Sequence, residues 1–215
     1  MPKLKPETQR ARREHILDTA EKCFAQNGFH ATTMQMICRA AGISAGALYI
    51  YFDSKEALIA GICERDRSEF SERFAGVAEA TDVIAALNEL ASHYFVDDAR
   101  YKLAMTVEIG AESTRNDAVR EMFRACDDTI GDSLTTLLER LEADDRITPA
   151  LPTTEAAKLM QIIGDGLLWR RAIDPEFDGA AMLPSVLALI AMLIGPKDIP
   201  TAPAQVPGAS EEASS

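Results

Sequence analysis

Residues 32–52 read TTMQMICRAAGISAGALYIYF, and this stretch predicts the fold of the N-terminal part of the chain. Thr32 or Thr33 opens a short amphipathic helix, and Gly42 supplies the left-handed backbone conformation that a helix exit needs. Ser44 then accepts hydrogen bonds from the free backbone N–H groups of a second helix. Two short helices joined by about four residues form a helix–turn–helix, which places its second helix in the major groove of DNA.

The second helix of this motif has two different faces. Ala45, Leu48 and Phe52 share the inward face, at spacings of three and four residues. The outward face holds Gly46, Ala47 and Ile50, flanked by Tyr49 and Tyr51. Small residues permit close approach to base edges, which would offset the roughly 1 kcal/mol of helix propensity lost at a glycine. Tyrosine hydroxyls donate hydrogen bonds to phosphates. The alternative is that both tyrosines are partly buried core aromatics.

Charge is distributed unevenly along the chain. Of 22 basic and 34 acidic residues, residues 1–55 hold eight basic and five acidic side chains, so the rest of the chain is strongly acidic. The net charge of −12 argues against a protein coated in nucleic acid or bound to an anionic membrane. The arm Lys3–Arg13, with five basic residues and one acidic residue, is the part that approaches a polyanion. A generic solvated tail is the alternative.

Helical periodicity runs through the chain, and strand patterns are weak. Residues 7–148 contain no proline. We therefore predict an all-α protein of about nine helices, near residues 10–27, 33–41, 45–51, 55–74, 81–96, 99–112, 115–143, 153–173 and 179–194. The predicted units are a basic arm with the helix–turn–helix domain (1–54), a ligand-binding and dimerisation domain (55–195), and a proline-rich disordered tail (196–215).

Further positions around the helix–turn–helix complete a recognisable pattern. They are Gly28-Phe29, Thr32-Thr33, Ile37, Ala41-Gly42-Ile43-Ser44, Gly46, Leu48-Tyr49, Tyr51-Phe52, Lys55 and Leu58. Together they resemble the N-terminal domain of the TetR family of transcriptional repressors, over about the first 60 residues. The remaining chain is similar to the family in size and helical character. The resemblance implies a homodimer on palindromic operator DNA, and a C-terminal pocket whose small-molecule effector releases the DNA.

The resemblance also assigns roles to individual residues. Thr33, Tyr49, Tyr51 and Lys55 match positions that usually contact phosphates. Gln35 matches a base-reading position and can pair with adenine, although Thr32-x-x-Gln35 also fits a capping box. Ile50 departs from the polar or aromatic residue common there, so it contacts a thymine methyl and DNA shape contributes to selection. The predicted DNA-binding set is Thr33, Gln35, Ser44, Ala45, Gly46, Ala47, Tyr49, Ile50, Tyr51, Lys55, Arg10, Arg12 and Arg13.

The last predicted helix is apolar nearly all round, so it must be covered on both sides. Its apolar residues are Met182, Leu183, Val186, Leu187, Leu189, Ile190, Met192, Leu193 and Ile194. With the helix that holds Leu159, Ile163, Leu167 and Leu168, it predicts a four-helix dimer seam, as the resemblance also suggests. The alternative is a central helix of a monomer.

Apolar and aromatic residues of the middle helices are candidates for an effector pocket. They are Phe95, Met105, Ile109, Met122, Phe123, Ile130, Met160 and Trp169, and Glu108 is added as a carboxylate that orients a ligand. Residues at helical spacing are more often plain core. Family members with such pockets often control drug-efflux genes, so a multidrug efflux operon is the expected target by resemblance.

Other functional classes are less well supported. The three histidines, His15, His30 and His93, are far apart in the sequence. The sequence contains no metalloprotease motif, no P-loop and no nucleophile-elbow motif. We therefore expect no enzyme activity, cofactor or metal. Cys23, Cys38, Cys63 and Cys126 are interpreted as reduced, buried thiols, and a cysteine redox sensor is the alternative. No signal peptide or membrane span is recognised, which predicts a cytoplasmic location.

Overall fold

The computed structural model describes residues 6–197, and this part of the chain is helical. Its elements are α1 (Pro6–Ala31), α2 (Met34–Ala41), α3 (Ala45–Tyr49), α4 (Lys55–Glu79), α5 (Val83–Ser92), a π-helical turn (His93–Asp97), α6 (Arg100–Ser113), α7 (Asp117–Ala143), α8 (Thr153–Ile173) and α9 (Gly179–Ile194). Over these residues, the predicted all-α class with nine α-helices is confirmed.

Most helices begin where the sequence places a capping side chain. Ser54, Asp82, Asn116 and Asp178 each accept a hydrogen bond from the backbone N–H group three residues later. Each cap satisfies an N–H group that the helix leaves free, an effect typically worth about 1 kcal/mol. The helix lengths differ from the prediction mainly at α1, which begins before residue 10, and at α4, which continues beyond residue 74.

A first hydrophobic core lies beneath the helix–turn–helix, and we call this part of the molecule the head. Phe24 from α1, Ile37 from α2 and Leu48 from α3 are fully buried in it. Ile109 from α6 and Val119 from α7 belong to the same core. Helices distant in sequence therefore complete the packing around the predicted DNA-binding motif.

A second core joins the end of α4 to α5, α7, α8 and α9, and we call this part the body. Leu138 and Leu141 of α7 and Ile194 of α9 are fully buried there. Within residues 6–197, neither α9 nor any other helix has the combination of length and apolar character that a membrane crossing requires.

Helix α4 belongs to both parts of the molecule. Leu58 and Ile59 in its first turns are buried in the head core, whereas Phe74 and Val77 near its end are buried in the body core. The predicted domain boundary between residues 54 and 55 thus falls at the start of a single helix that connects the two cores.

The segment after α9 corrects one expectation. Pro196 forms an isolated bridge with Ile147, and the N–H group of Lys197 donates to the carbonyl oxygen of Arg146 at 2.9 Å. Gly195 permits this approach, because it has a φ of 57° and a Cβ atom there would lie 2.3 Å from the carbonyl oxygen of Thr148. Pro196 and Lys197 are therefore ordered, contrary to the predicted tail, and residues 198–215 lie outside the described residues.

Candidate nucleic-acid interface

The turn between α2 and α3 has the backbone geometry that the sequence predicts. Gly42 adopts a left-handed conformation with φ 66° and ψ 30°. The N–H group of Ile43 donates to the carbonyl oxygen of Cys38 at 3.1 Å, which satisfies a carbonyl that the helix end leaves free. No atom outside the turn lies within 4 Å of a Cβ built on Gly42, so the positive φ is what requires glycine there.

Two hydroxyl groups cap the helices of the motif. Thr33 accepts from the N–H group of Met36, and Ser44 accepts from that of Ala47, both at 3.2 Å. Each hydroxyl is exposed and keeps its own hydrogen free to donate to an acceptor such as phosphate.

The prediction that Thr32 and Gln35 form a capping box is wrong. Thr32 is fully buried, and its hydroxyl lies 3.0 Å from the carbonyl oxygen of Cys23 and 2.8 Å from that of Gly28. Thr32 therefore ties the motif to α1, and Thr33 caps α2 in its place. Gln35 is exposed on the first turn of α2.

Helix α3 presents its predicted faces. Leu48 is fully buried and Phe52 nearly so, whereas Tyr49 is 52% exposed and Ile50 is 81% exposed. Tyr51 is half-buried and packs against the head core. The alternative that both tyrosines are core aromatics therefore holds for Tyr51 but not for Tyr49. We call the exposed side of the motif the recognition face. It consists of Thr33, Gln35, Ser44, Ala45, Gly46, Tyr49 and Ile50, bordered by half-buried Ala47.

Gly46 is not required by the packing of the chain. A Cβ atom built on it meets nothing within 4 Å. Gly61 is different, since a Cβ there would lie 2.8 Å from the ring of Phe52. The missing side chain at residue 46 therefore leaves open space on the recognition face.

Some of the basic residues predicted to bind DNA are exposed, and others form contacts within the chain. Arg10 and Arg12 are exposed on α1. Arg13 donates to the Glu64 carboxylate at 2.7 Å, and its guanidinium lies 5.5 Å from the centre of the Phe52 ring. Arg13 is therefore engaged in packing α1 against α4. The arm residues before Pro6, including Lys3 and Lys5, lie outside the described residues.

Lys55 is also engaged within the chain. Its ammonium donates to the carbonyl oxygen of Phe29 at 2.6 Å and lies 4.2 Å from the centre of the Phe29 ring. The charge thereby stabilises the C-terminal end of α1, where carbonyl groups lack helical partners. Its predicted contact with phosphate stays a prediction.

A carboxylate of α6 holds the end of α1. Gly28 interrupts the helix with φ 75° and ψ 166°, and the N–H group of Phe29 donates to Glu108 Oε1 at 2.8 Å. A Cβ atom at Gly28 would lie 2.9 Å from the same oxygen. Glu108, which the sequence analysis assigns to a ligand, therefore uses one carboxylate oxygen to anchor the segment that leads into α2.

A buried ion pair joins α1 to α4. Glu21 is 2% exposed, and Arg65 donates to its Oε1 atom at 2.7 Å, while its Oε2 atom has no hydrogen-bond partner among the described residues. Burial raises the pKa of Glu21 to about 6, against the lowering effect of Arg65. Burial alone would lower the pKa of Arg65, but Glu21 and Asp66 raise it above its ordinary value.

A second buried carboxylate joins α6 to α1. Glu112 is 1% exposed and lies 2.9 Å from the Nε2 atom of His30. Burial alone would raise the pKa of Glu112, but hydrogen bonds from Arg115 and Asn116 and the proximity of His30 hold its pKa below the ordinary value. Helix α1 is thus fixed to α4 and α6 by buried polar contacts as well as by apolar packing.

The predicted effector residues are not gathered around one cavity. Met105 and Ile109 are buried in the head core, with Met122 and Phe123 packed against it. Met160 and Ile130 belong to the body core. Trp169 is 52% exposed on α8. The expectation of a common pocket is therefore corrected, because helical spacing placed most of these residues in two separate cores.

Two clefts that are open to solvent lie elsewhere on the body. One of about 340 Å³ is bordered by Phe95, Arg171 and the segment 175–180. The other, of about 330 Å³, lies between α4 and α7 beside Phe74 and Arg140. Of the residues that line them, the sequence predicted only Phe95, since much of the lining is polar or small and comes from elements distant in sequence.

Helices α8 and α9 expose large apolar side chains at regular helical spacing. On α8 these are Leu159, Ile162, Trp169 and Ile173, and on α9 they are Met182, Leu189 and Met192. We call this set the apolar stripe. Leu167, predicted for the dimer seam, is instead buried within the chain, and Ile163 and Leu168 are half-buried. The amphipathic period predicted the helices correctly but not which apolar residues remain exposed.

Comparison with known proteins identifies relatives of the whole arrangement. Residues 16–62 match the family described as "Bacterial regulatory proteins, tetR family". The chain is 31% identical over 156 residues to the HTH-type transcriptional regulator UidR of Escherichia coli K12, which covers 73% of this chain and 79% of UidR. The structure of Salmonella enterica GusR is 30% identical with a TM-score of 0.73, covering 86% of this chain and 96% of GusR. The SmeT–triclosan complex is 25% identical with a TM-score of 0.72, covering 94% of this chain and 100% of SmeT.

Proposed function

This chain belongs to the TetR family of bacterial regulatory proteins, and it is a transcriptional regulator with an N-terminal helix–turn–helix. We propose that it is a cytoplasmic repressor that binds palindromic operator DNA as a homodimer and releases it when a small apolar or aromatic effector binds. The observation that carries this proposal is the recognition face, which is open and polar at its edges and lacks side-chain bulk at Gly46.

In the proposed complex, α3 enters the major groove along the recognition face. Gly46 and Ala47 allow the backbone to approach the base edges, and Ile50 contacts a thymine methyl group. Tyr49 and Thr33 donate their hydroxyl groups to phosphates on the walls of the groove. Gln35, which is exposed and free of the capping role considered for it, pairs with adenine.

The dimer is proposed to form through the apolar stripe. Exposed apolar residues at positions 159, 162, 169 and 173 follow one face of α8, and those at 182, 189 and 192 follow one face of α9. Two such faces related by a twofold axis bury one another in a four-helix seam. Binding to successive major grooves requires the same axis to hold the two α3 helices about 34–36 Å apart.

Effector control is proposed to act through α4. Its first turns contribute to the head core and its last turns to the body core, so a shift of this helix changes the position of the head. The open cleft between α4 and α7, at about 330 Å³, is the candidate effector site. An effector that prefers a different α4 position shifts the population away from the DNA-binding conformer, by no more than its differential affinity.

One relative supports the proposed chemistry of the effector. SmeT, which is similar to this chain along nearly its whole length, forms a complex with triclosan. A chlorinated aromatic molecule of this kind supports an apolar or aromatic effector here, and control of a multidrug efflux operon is the corresponding target. Titration of triclosan and related aromatic molecules into the protein–operator complex is expected to release DNA. An aromatic molecule that binds tightly without changing DNA affinity contradicts the coupling.

Selection of bound sequences from random double-stranded DNA tests the function as a whole. The purified protein is expected to enrich a palindrome whose half-sites lie one helical turn apart, or a multiple of one turn. Such a sequence identifies the operator and tests the dimer in the same experiment. A protein that enriches no duplex at low ionic strength, where electrostatic binding is strongest, contradicts the proposal.

A further inference from the structure

The four cysteines fall into two groups that the sequence does not distinguish. Cys23 and Cys38 are buried in the head, with exposed fractions of 8% and 6%. Cys63 on α4 and Cys126 on α7 are only partly buried, which corrects the expectation of four buried thiols. Reagents in solution therefore have access to the second pair.

Cys63 and Cys126 are in direct contact although 63 positions separate them. The Cys126 Sγ atom lies 3.5 Å from the carbonyl oxygen of Cys63 and donates to it. The Cys126 sulfur thus lies against Cys63 where α7 packs along α4.

The contact makes the two thiols chemically unequal. The hydrogen bond from Cys63 lowers the pKa of Cys126, with burial opposing it. The same hydrogen bond, followed by burial, raises the pKa of Cys63. Among the neighbouring charged groups, Arg67 favours the thiolate of Cys126, whereas Asp66 and Asp127 oppose it. Since the thiolate is the nucleophile, Cys126 is the sulfur that reacts first.

We propose that Cys63 and Cys126 form a dithiol that hydroperoxides oxidise to a disulfide linking α4 to α7. The Cys126 thiolate attacks one oxygen of hydrogen peroxide, which breaks the O–O bond and leaves a sulfenic acid and, after protonation, one water molecule. The Cys63 sulfur then attacks the sulfenic sulfur and displaces the second oxygen as water. Two thiols and one peroxide give one disulfide and two water molecules, a two-electron oxidation of the protein.

The disulfide acts at the connection between head and body. Cys63 directly follows Ile62 of the head core and precedes Glu64, the partner of Arg13. A disulfide requires a sulfur–sulfur distance of about 2.05 Å, so closing this bond fixes α4 to α7 at one point of their contact. Because α4 contributes to both cores, a bond that fixes its position relative to α7 changes the position of the head and weakens operator binding. The regulatory consequence rests on the proposed function, whereas formation of the disulfide does not.

Peroxide treatment of the full chain, followed by alkylation and mass spectrometry, tests the dithiol directly. We expect the wild type to lose two of its four free thiols, with Cys63 and Cys126 in one cross-linked peptide pair, and dithiothreitol to restore them. Cys63→Ser and Cys126→Ser are expected to form no such disulfide. Cys23→Ala, which removes a buried thiol of the head, is the matched control and is expected to oxidise as the wild type does.

Operator binding is then measured before oxidation, after oxidation and after reduction. We expect oxidation to weaken binding of the wild type and of Cys23→Ala at least tenfold, reversibly, and to leave Cys63→Ser and Cys126→Ser unchanged. Four thiols that stay free, or a disulfide between other cysteines, overturn the dithiol. A Cys63–Cys126 disulfide that leaves operator affinity unchanged overturns its regulatory role. Reduced wild type that binds no DNA refutes the proposed function instead, while the mass spectra still decide the disulfide.

Discussion

The recognition face of the head and the apolar stripe of the body are both exposed, but their chemistry is opposite. The recognition face presents hydroxyl and amide groups around a glycine, and Ile50 is its one large aliphatic side chain. The apolar stripe presents seven large apolar side chains on two adjacent helices. A polar face with little bulk suits a hydrated polyanion, whereas an apolar face of this size suits another protein surface that excludes water. The difference supports the proposed binding of DNA to the head and of a second subunit to the body.

The largest expected effect tests whether the apolar stripe of the body is the dimer interface. Ile162→Glu introduces a charge at the centre of the apolar stripe, where Ile162 is 63% exposed in the single chain. A charge buried without a partner costs about 3–5 kcal/mol, so we expect the dimer to dissociate at least about 100-fold more readily. Analytical ultracentrifugation measures this change, and affinity for a palindromic operator is expected to fall with it.

Ala125→Glu is the matched control, because it places the same charge at an exposed position of α7 outside the apolar stripe. It is expected to leave the dimer intact. Dissociation by both variants, or by neither, would show that the apolar stripe is not the dimer interface.

The next largest effect concerns two buried carboxylates of the head, Glu21 of α1 and Glu112 of α6. Burial raises the pKa of Glu21 from its ordinary value of 4.5 to about 6 in the folded state. Its ionisation therefore opposes folding, and this contribution grows as pH rises from about 4.5 to 6. With 1.36 kcal/mol for each pH unit of difference, Glu21→Gln should gain about 2 kcal/mol of unfolding free energy relative to wild type between about pH 4 and pH 7.

Glu112→Gln provides a control of opposite sign. Because the pKa of Glu112 is held below its ordinary value, its ionised form stabilises the fold, and that stabilisation is lost as pH falls. Relative to wild type, the unfolding free energy of Glu112→Gln is therefore expected to fall as pH rises. Urea denaturation at a series of pH values measures both differences, and parallel pH profiles for the two variants would contradict the assigned environments.

Gly46→Ala sharpens the head side of the comparison. Since a Cβ atom at residue 46 meets nothing in the chain, alanine should stabilise the fold by up to about 1 kcal/mol through helix propensity. If α3 approaches bases closely, the added methyl group weakens operator binding, and we expect a loss of about tenfold, which corresponds to about 1.4 kcal/mol.

The matched control for this change is Gly76→Ala on α4. Gly76 is also exposed and has open space around its Cβ position, but it lies outside the recognition face. Thermal unfolding should show both variants to be at least as stable as wild type. Fluorescence anisotropy with operator DNA should separate them, and equal DNA affinities would contradict close approach at Gly46.

The smallest expected effect distinguishes free from committed arginines in the head. The double variant Arg10→Ala and Arg12→Ala removes two exposed charges, each of which releases about one counterion if it contacts phosphate. The slope of log affinity against log salt concentration should then become shallower by about 2. Arg13→Ala, which removes a side chain paired with Glu64, should leave the slope nearly unchanged and lower thermal stability. An unchanged slope in the double variant excludes Arg10 and Arg12 from phosphate contact.

Much of the head could be predicted because its determinants are local. Gly42 ends α2 through its own backbone conformation, and Ser44 caps α3 three residues ahead of its partner N–H group. The buried positions of Leu48 and Phe52 follow from helical spacing within the same segment. Local prediction failed where a distant element competes for a side chain. Thr32 is buried against carbonyl groups of α1, so the cap falls to Thr33.

In the body, the sequence determined the helices but not their surroundings. An apolar residue at helical spacing is buried in its own core, in the opposite core or in a subunit interface, and the period of the pattern is the same in each case. The same period therefore predicts an effector pocket for Met105 and Ile109, which instead complete the head core. It makes the same prediction for Trp169, which instead lies on the apolar stripe.

By itself, the sequence determined the order of the helices, the helix–turn–helix and the family, since these depend on periodicity, caps and turn residues within short segments. Only the tertiary structure decided which side chains are free. In the folded chain, Glu108 and Lys55 form hydrogen bonds with the end of α1. Cys126 contacts Cys63, and Tyr49 remains exposed. The physical reason is that hydrogen bonds, ion pairs and burial depend on the distance between groups in space, and groups far apart in the chain become neighbours only when the helices pack.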